Sequence, residues 1–166
     1  MKYLSYYNSV LGKILIISNS EEITALYFKS SKYSPKELDK DIKEEENSII
    51  KKTKKWLDIY FSGEKPEFNI QINPFGTEFQ KEVWKLLCDI PYGKIVTYKE
   101  IAKNIAIKRG IKVMSSQAVG GAVSKNPISI IIPCHRVVGT NKKLVGYSSG
   151  IDIKQKLLEI EKIVLS

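Results

Sequence analysis

The sequence predicts an α+β protein: an N-terminal antiparallel β-sheet with one helix, then a mostly helical C-terminal half that contains a helix-turn-helix. Three observations carry this. Apolar residues alternate in short runs between Tyr3 and Phe28, they recur at helical spacing after Pro74, and two capping boxes open helices in the second half. A chain of 166 residues holds one ordinary domain or two small ones. The change of period places a boundary at 73/74, giving a support unit over 1–73 and a second unit over 74–166.

The elements follow in order. Tyr3–Tyr7, Gly12–Ser18 and Ile23–Phe28 alternate as strands around turns at Asn8-Ser9 and Asn19-Ser20-Glu21, an antiparallel meander. Residues 31–47 are mostly polar and charged, with Glu44-Glu45-Glu46 as a solvated approach to a helix from Ile49 to Phe61 that Ser62-Gly63 ends. Phe68–Ile72 reads as one more strand. Thr77-Glu78-Phe79-Gln80 is a capping box, and Phe79, Val83, Leu86, Leu87 and Ile90 form the apolar face of the helix that it starts. Pro91-Tyr92-Gly93 stops that helix. Thr97-Tyr98-Lys99-Glu100 is a second capping box, opening a short helix through Ile101, Ala102 and Ile105. After a turn at Lys108-Arg109-Gly110, Ser115 or Ser116 caps a third helix that Asn126-Pro127 halts. Ile128–Ile132, β-branched and apolar, reads as a buried strand. Asp152–Leu165 is the last helix.

Composition excludes several classes. No apolar run approaches the ~18–20 residues of a membrane span, and Met1–Ser5 begins no signal peptide, so a soluble, cytoplasmic protein is expected. Cys88 and Cys134 are too few for a disulfide framework, and a single histidine leaves no zinc cluster to assemble, so neither metal nor cofactor is expected. Residues 1–73 carry 12 Lys against 11 acids, whereas 74–166 carry 15 Lys+Arg against 7, so nearly all of the net +9 lies in the second half. Such a field attracts polyanions, nucleic acid ahead of an anionic membrane surface; a lysine-rich solvated surface is the plainer alternative.

Two short helices joined by a Gly-containing turn in this basic half fit a DNA-reading helix-turn-helix or a helical hairpin that merely packs. Gly120-Gly121 inside a helix costs about 2 kcal/mol and asks for close approach to a neighbour or a ligand. Beyond it, Pro133-Cys134-His135-Arg136 sets the chain's one histidine beside a cysteine, and both imidazole and Arg136 would favour a nucleophilic thiolate. A structural Cys beside a satisfied His is the alternative, because adjacent residues on a strand face opposite ways. On the last helix, at about 100° per residue, Ile153, Leu157, Ile160 and Val164 share one side, and Glu161 falls inside their apolar arc. Lys154 falls near it too, at the helix start where it reaches water. A buried carboxylate needs a partner, which a Cys134–His135–Glu161 relay supplies; a frayed end with Glu161 exposed is the alternative. Cys88 lies opposite its helix's apolar stripe and is read as structural or adventitious. No chemical site is read in residues 1–70.

These residues resemble a known family. Gly76–Gln80, Val83-Trp84, Ile90–Gly93, Thr97-Tyr98, Ile101-Ala102, Ala118–Gly120, Asn126-Pro127, Pro133–Val137 and Gly146-Tyr147 through Gly150 resemble, in order, the O6-alkylguanine-DNA alkyltransferases over about residues 74–162. Residues 1–73 are similar, less distinctively, to the family's variable N-terminal domain. The resemblance implies DNA repair by a monomer that binds duplex DNA through the minor groove and flips the damaged base into a pocket. Cys134 then takes the alkyl group irreversibly from O6-alkylguanine and less readily from O4-alkylthymine. It implies that His135 acts through a water as base for Cys134, that Glu161 orients His135, that Asn126 holds the cysteine segment, and that Tyr98 donates toward the departing guanine. Tyr147, Ser148, Gly120 and the carbonyls of Cys134 and Val137 would line the base pocket. Gln117, Ala118, Thr97, Ser116, Lys99 and Lys125 would meet DNA.

Two departures stand out. Gln117 sits where much of the family places an arginine finger, and the Lys103–Ser115 loop is longer, so Lys108, Arg109 and Lys112 offer substitute phosphate contacts. The competing functions are a helix-turn-helix lesion sensor or regulator without catalysis, and a cysteine hydrolase built on Cys134, His135 and Glu161.

Overall fold

The computed structural model describes residues 1–165; Ser166, the last residue of the expected second unit, lies outside them. Strands β1 (Lys2–Ser9), β2 (Gly12–Ser18) and β3 (Ile23–Phe28) form the expected antiparallel meander, and β1 and β2 pair from Tyr3↔Ser18 to Ser9↔Gly12. The sheet order is β3-β2-β1-β4, where β4 is Ile42–Glu44 and runs parallel to β1. This edge strand lies in the stretch read as solvated: its three residues are too few to show a period, and Ile42 alone packs inward. Central β2 is covered on both faces. Ile14 and Ile16 enter the main core, while Leu15 and Ile17 join Leu4 in a smaller cluster beneath Tyr6, Ala25 and Ile42.

Helix α1 (Ser48–Phe61) starts at Asn47, whose side chain accepts from the Ile50 amide, and packs on β1 and β2. Both capping boxes form as the sequence implies. Thr77 opens α2 (Glu78–Cys88), and Thr97, within the two-residue strand β5 (Val96–Thr97), opens α3 (Tyr98–Arg109). Gly110, at φ 65°, ends α3 in the left-handed conformation, four residues beyond Ala106. Ser115 caps α4 (Ser116–Ser124). Trp84 ties α2 to α4 by donating from Nε1 to the Ala122 carbonyl at 2.8 Å.

Two expected strands do not form. Phe68–Ile72 and Ile128–Ile132 each contribute one bridging residue to the outer edge of β3, Ile72 opposite Ile23 and Ile128 opposite Leu26. The Leu26 amide donates to Pro127, and Leu26 accepts from Ser129, both at 2.8 Å. The run 128–132 is buried as expected, but it coils: Ile130 sits at φ 69°, a strained value for a β-branched residue, and a tight turn follows. Burial explains the apolar run without a strand. The chain then enters a 3-10 turn over Cys134–Arg136 and strand β6 (Val137–Val138), which pairs parallel with β5.

The last helix, α5, spans Ile151–Ile160, shorter than expected. Glu161 is its C-cap, and Val164, expected on the apolar side, is exposed because the helix has already ended. Lys154 differs most: expected at water, it is fully buried, its Nζ donating to the Val145 carbonyl at 2.8 Å and to Gly146 at 3.2 Å. One core runs from Ile14 and Phe28 through Leu57 and Tyr60 to Val83, Ile128 and Leu157, joining both halves of the chain.

Candidate active site

Three features deliver Cys134 to the bottom of a cleft. The Asn126 amide brackets the turn before it, Nδ2 donating to Ile132 O at 2.8 Å while Oδ1 accepts from Ile128 N at 2.9 Å. The 3-10 turn then places Cys134 and His135 on a helical bend rather than on opposite faces of a strand. Helix α5 packs against that turn. The cleft, of about 350 Å3, is lined by Tyr98, Gln117, Gly120, Cys134, Tyr147 and Ser148 among others, and falls at the lower end of the ~300–1,000 Å3 of ligand sites.

His135 and Glu161 are both buried, and His135 Nε2 lies 2.5 Å from Glu161 Oε2. Facing a carboxylate, Nε2 carries the proton, which leaves Nδ1 as an acceptor; Nδ1 is buried and meets no partner among the described residues. Glu161 accepts from four donors. Oε2 takes His135 and the Tyr60 hydroxyl, 2.7 Å away, while Oε1 takes Arg136 Nε at 2.8 Å and the Gly93 amide at 3.0 Å. Those hydrogen bonds, with the charge of Arg136 and that of His135 once it is protonated at low pH, outweigh burial and hold the Glu161 pKa at about 2.

The thiol behaves otherwise than the sequence implies. Burial pushes the Cys134 pKa up; the Asn126 amide, the charge of Lys154 and the Tyr147 hydroxyl pull it back only in part. Arg136, expected to stabilise the thiolate, spends its Nε on Glu161 and its Nη1 on the Ile90 carbonyl. Lys154 is the cation that serves the sulfur, and burial brings its own pKa down to about 8. Burial also lowers His135, despite Glu161, so the resting site holds a thiol, a neutral imidazole and a carboxylate.

The remaining expected residues separate into groups. Tyr98 donates to the Val145 carbonyl at 3.2 Å, and burial together with Cys134 raises its pKa to about 12. Val137 is fully buried and its side chain does not line the cleft. Ser116, Gln117 and Ala118 are consecutively exposed at the start of α4, beside the cleft mouth; Lys99, in the first turn of α3, and Lys125, at the far end of α4, are exposed, and Thr97 is occupied as a cap. A Cβ on Gly120 would only touch Tyr98, at 3.9 Å, and one on Gly121 would meet nothing, so no protein neighbour explains either glycine. Arg109, expected at phosphates, pairs with Glu82 at 2.6 Å. Cys88 is free and exposed.

Sequence reading missed Tyr60, Gly93 and the buried role of Lys154. Tyr60 lies 101 positions from Glu161, and no local pattern marks such a pair. Among the described residues no group of three His, Cys, Asp or Glu side chains is arranged to hold a metal ion, and no helix is long and apolar enough to cross a membrane.

Comparison with known proteins agrees with this geometry. A model of the 6-O-methylguanine DNA methyltransferase DNA-binding domain matches residues 78–163, and one of the ribonuclease-like domain of the same methyltransferases matches 2–74. The methylated-DNA–protein-cysteine methyltransferase of Methanosarcina acetivorans is 43% identical over 159 residues, 96% of this chain and 97% of the relative. That of Haemophilus influenzae is 41% identical over 162 residues, 97% and 87% of the two chains. Among solved structures, Mycobacterium tuberculosis OGT in complex with DNA superposes with a TM-score of 0.84 at 34% identity, covering 96% of this chain and 92% of the other. The O6-methylguanine methyltransferase of that organism gives a TM-score of 0.82 at 36% identity, covering 98% and 93%. The chain belongs to the 6-O-methylguanine DNA methyltransferase family.

Proposed function

We propose that this protein repairs O6-alkylguanine in duplex DNA, and less readily O4-alkylthymine, by moving the alkyl group to Cys134. The observation that carries the reading is a buried cysteine at the floor of a base-sized cleft whose rim is the exposed start of α4. An alkylated O6 inside the stack is out of reach of such a sulfur, so the nucleotide turns out of the helix into the cleft. DNA docks through its minor groove, with Ser116, Gln117 and Ala118 at the groove and Lys99 and Lys125 at phosphates; Thr97 holds α3 in place. Gln117 fills the gap left by the flipped base without adding charge. Tyr147, Ser148, Gly120 and the carbonyls of Cys134 and Val137 receive the base.

In the transfer, the thiol proton passes through a water to His135 Nδ1, and Glu161 stabilises the imidazolium that results. The sulfur forms its bond to the alkyl carbon as the C–O6 bond breaks. That electron pair leaves with the guanine, toward which Tyr98 donates. The product is a stable alkyl thioether on Cys134 from which the thiol is not regenerated, so each molecule reacts once, as a monomer and without a cofactor. The 1–73 unit supports the 74–166 unit, and the protein works in the cytoplasm, at the nucleoid of a prokaryote or in the nucleus of a eukaryote.

The test is mass spectrometry after mixing the protein with a duplex bearing one O6-methylguanine. One methyl group on the peptide containing Cys134, equimolar with restored guanine and absent from Cys88, is expected. Cys134→Ser is expected to bind DNA and leave the lesion intact. Repair by that variant, or repair in excess of protein, would overturn the proposal.

A further inference from the structure

The Tyr60 hydroxyl is the one polar group that the first 73 residues bring to the buried relay. It comes from the last turn of α1, is fully buried, and is fixed by stacking on Trp56 with centroids 5.6 Å apart and by edge contacts with Phe61, Tyr92 and His135. Such packing leaves the ring no alternative rotamer without opening the core. Its Oη lies 2.7 Å from Glu161 Oε2, 3.3 Å from His135 Nε2 and 3.4 Å from the Leu157 carbonyl. A phenol buried for packing alone needs one acceptor; this one shares the same carboxylate oxygen as the imidazole.

We propose that Tyr60 is a positioning residue for alkyl transfer: its hydroxyl clamps Glu161 Oε2 against His135 Nε2, making a chain Cys134–His135–Glu161–Tyr60 that spans both halves of the protein. The inference rests on the alkyl-transfer reading above for its use, but not for its detection. Two consequences follow from sharing one oxygen. The clamp holds the carboxylate in the plane where Nε2–H points, so the lone pair of Nδ1 is fixed in direction. It also draws electron density from Oε2, so Glu161 raises the basicity of His135 less than an unshared carboxylate would. The other groups facing His135 are Arg136 on its own turn, Lys154 and Glu161 from α5, and Cys134; Arg136 and Lys154 oppose its protonation. Tyr92 and Tyr147 reach it indirectly, through the charge of Glu161. Burial and the Glu161 charge both push the Tyr60 pKa well up, so it remains a proton donor throughout.

With one histidine in the chain, the imidazole resonances need no assignment. Long-range nitrogen–proton NMR spectra of the full-length protein without DNA, taken across pH, read both tautomer and titration midpoint. In the parent, a neutral Nε2–H tautomer persists below pH 6.5, the ordinary midpoint. In Tyr60→Phe, which keeps the ring and removes the hydroxyl, the midpoint is expected to rise by about one pH unit. The acid limb of the single-turnover rate is expected to rise with it, since only the neutral imidazole accepts the proton. Trp56→Phe serves as the packing control: it disturbs the stack and keeps the hydroxyl, and the midpoint is expected to stay. An unmoved midpoint in Tyr60→Phe, a rate lowered equally at all pH values, or an equal shift in Trp56→Phe would each make Tyr60 a packing residue and overturn the proposal. A moved midpoint in a protein that fails to transfer alkyl groups would instead uphold the clamp and discard the reaction it was assigned to.

Discussion

Replacing Glu161 by Gln converts a group that accepts four hydrogen bonds into one that must present an NH2 to two of those donors. Whichever way the amide turns, it faces either the pair from His135 and Tyr60 or the pair from Arg136 and Gly93. Breaking a buried ion pair from one side costs about 3–5 kcal/mol. Independently, a fall in the carboxyl pKa from 4.5 to about 2 is worth roughly 3 kcal/mol to the folded state. The folded carboxyl has the depressed value, so this stability is fully present above pH 4.5 and is lost as pH falls toward 2, with roughly 2 kcal/mol gone by pH 3. Urea unfolding of parent and Glu161→Gln at several pH values reads the difference directly. It is expected to be about 3 kcal/mol at pH 7 and to shrink steadily below pH 4.5. A difference under about 1 kcal/mol at neutral pH, the size of an ordinary surface substitution, or one that does not vary with pH, would refute the ionised, four-donor carboxylate.

Asn126→Ala strands the Ile132 carbonyl and the Ile128 amide in the core, and thermal unfolding is expected to show a loss of about 2–5 kcal/mol. Lys154→Met removes the cation that lowers the Cys134 pKa and frees two carbonyls of the 145–146 segment. The pH profile of Cys134 alkylation by iodoacetamide, read by peptide mass spectrometry against exposed Cys88, is expected to move to higher pH, and an unmoved profile would deny Lys154 that role. The affinity for undamaged duplex DNA is expected to fall steeply with salt, because 15 Lys+Arg against 7 acids crowd residues 74–166; a flat salt titration would place the contact elsewhere. Trp84→Phe, which leaves the Ala122 carbonyl unpaired and a cavity where the second ring of the indole packed, is expected to cost about 2–5 kcal/mol by denaturant titration.

What could be read from the chain beforehand was whatever local chemistry decides. Thr77 and Thr97 cap their helices with Gln80 and Glu100, partners three residues away, and no tertiary contact is needed to see them. The apolar setting of Glu161 was legible as well, although helical geometry placed it one turn too deep: the helix ends at Ile160, and the carboxylate reaches inward from the cap. Ile128–Ile132 misled because a β-branched run signals burial as strongly as it signals a strand, and the turn at Ile130 is held by core packing together with the Asn126 amide. Lys154 was misplaced for a related reason. A lysine near a helix start ordinarily reaches water, and only the fold brings the carbonyls of Val145 and Gly146 over it. Tyr60 was out of reach, since nothing near α1 in the sequence announces a carboxylate that arrives 101 positions later.

The outer edge of β3 reaches both 71–73 and 127–129 through main-chain groups: the Leu26 amide and carbonyl, and those of Ile23 with Gln71 and Asn73. A seam stitched from peptide groups is indifferent to which side chains flank it. Side chains along this edge that stay out of the core are therefore free to change while the strand keeps its grip on the segment that leads to Cys134, provided that no proline, insertion or deletion drops a stitch.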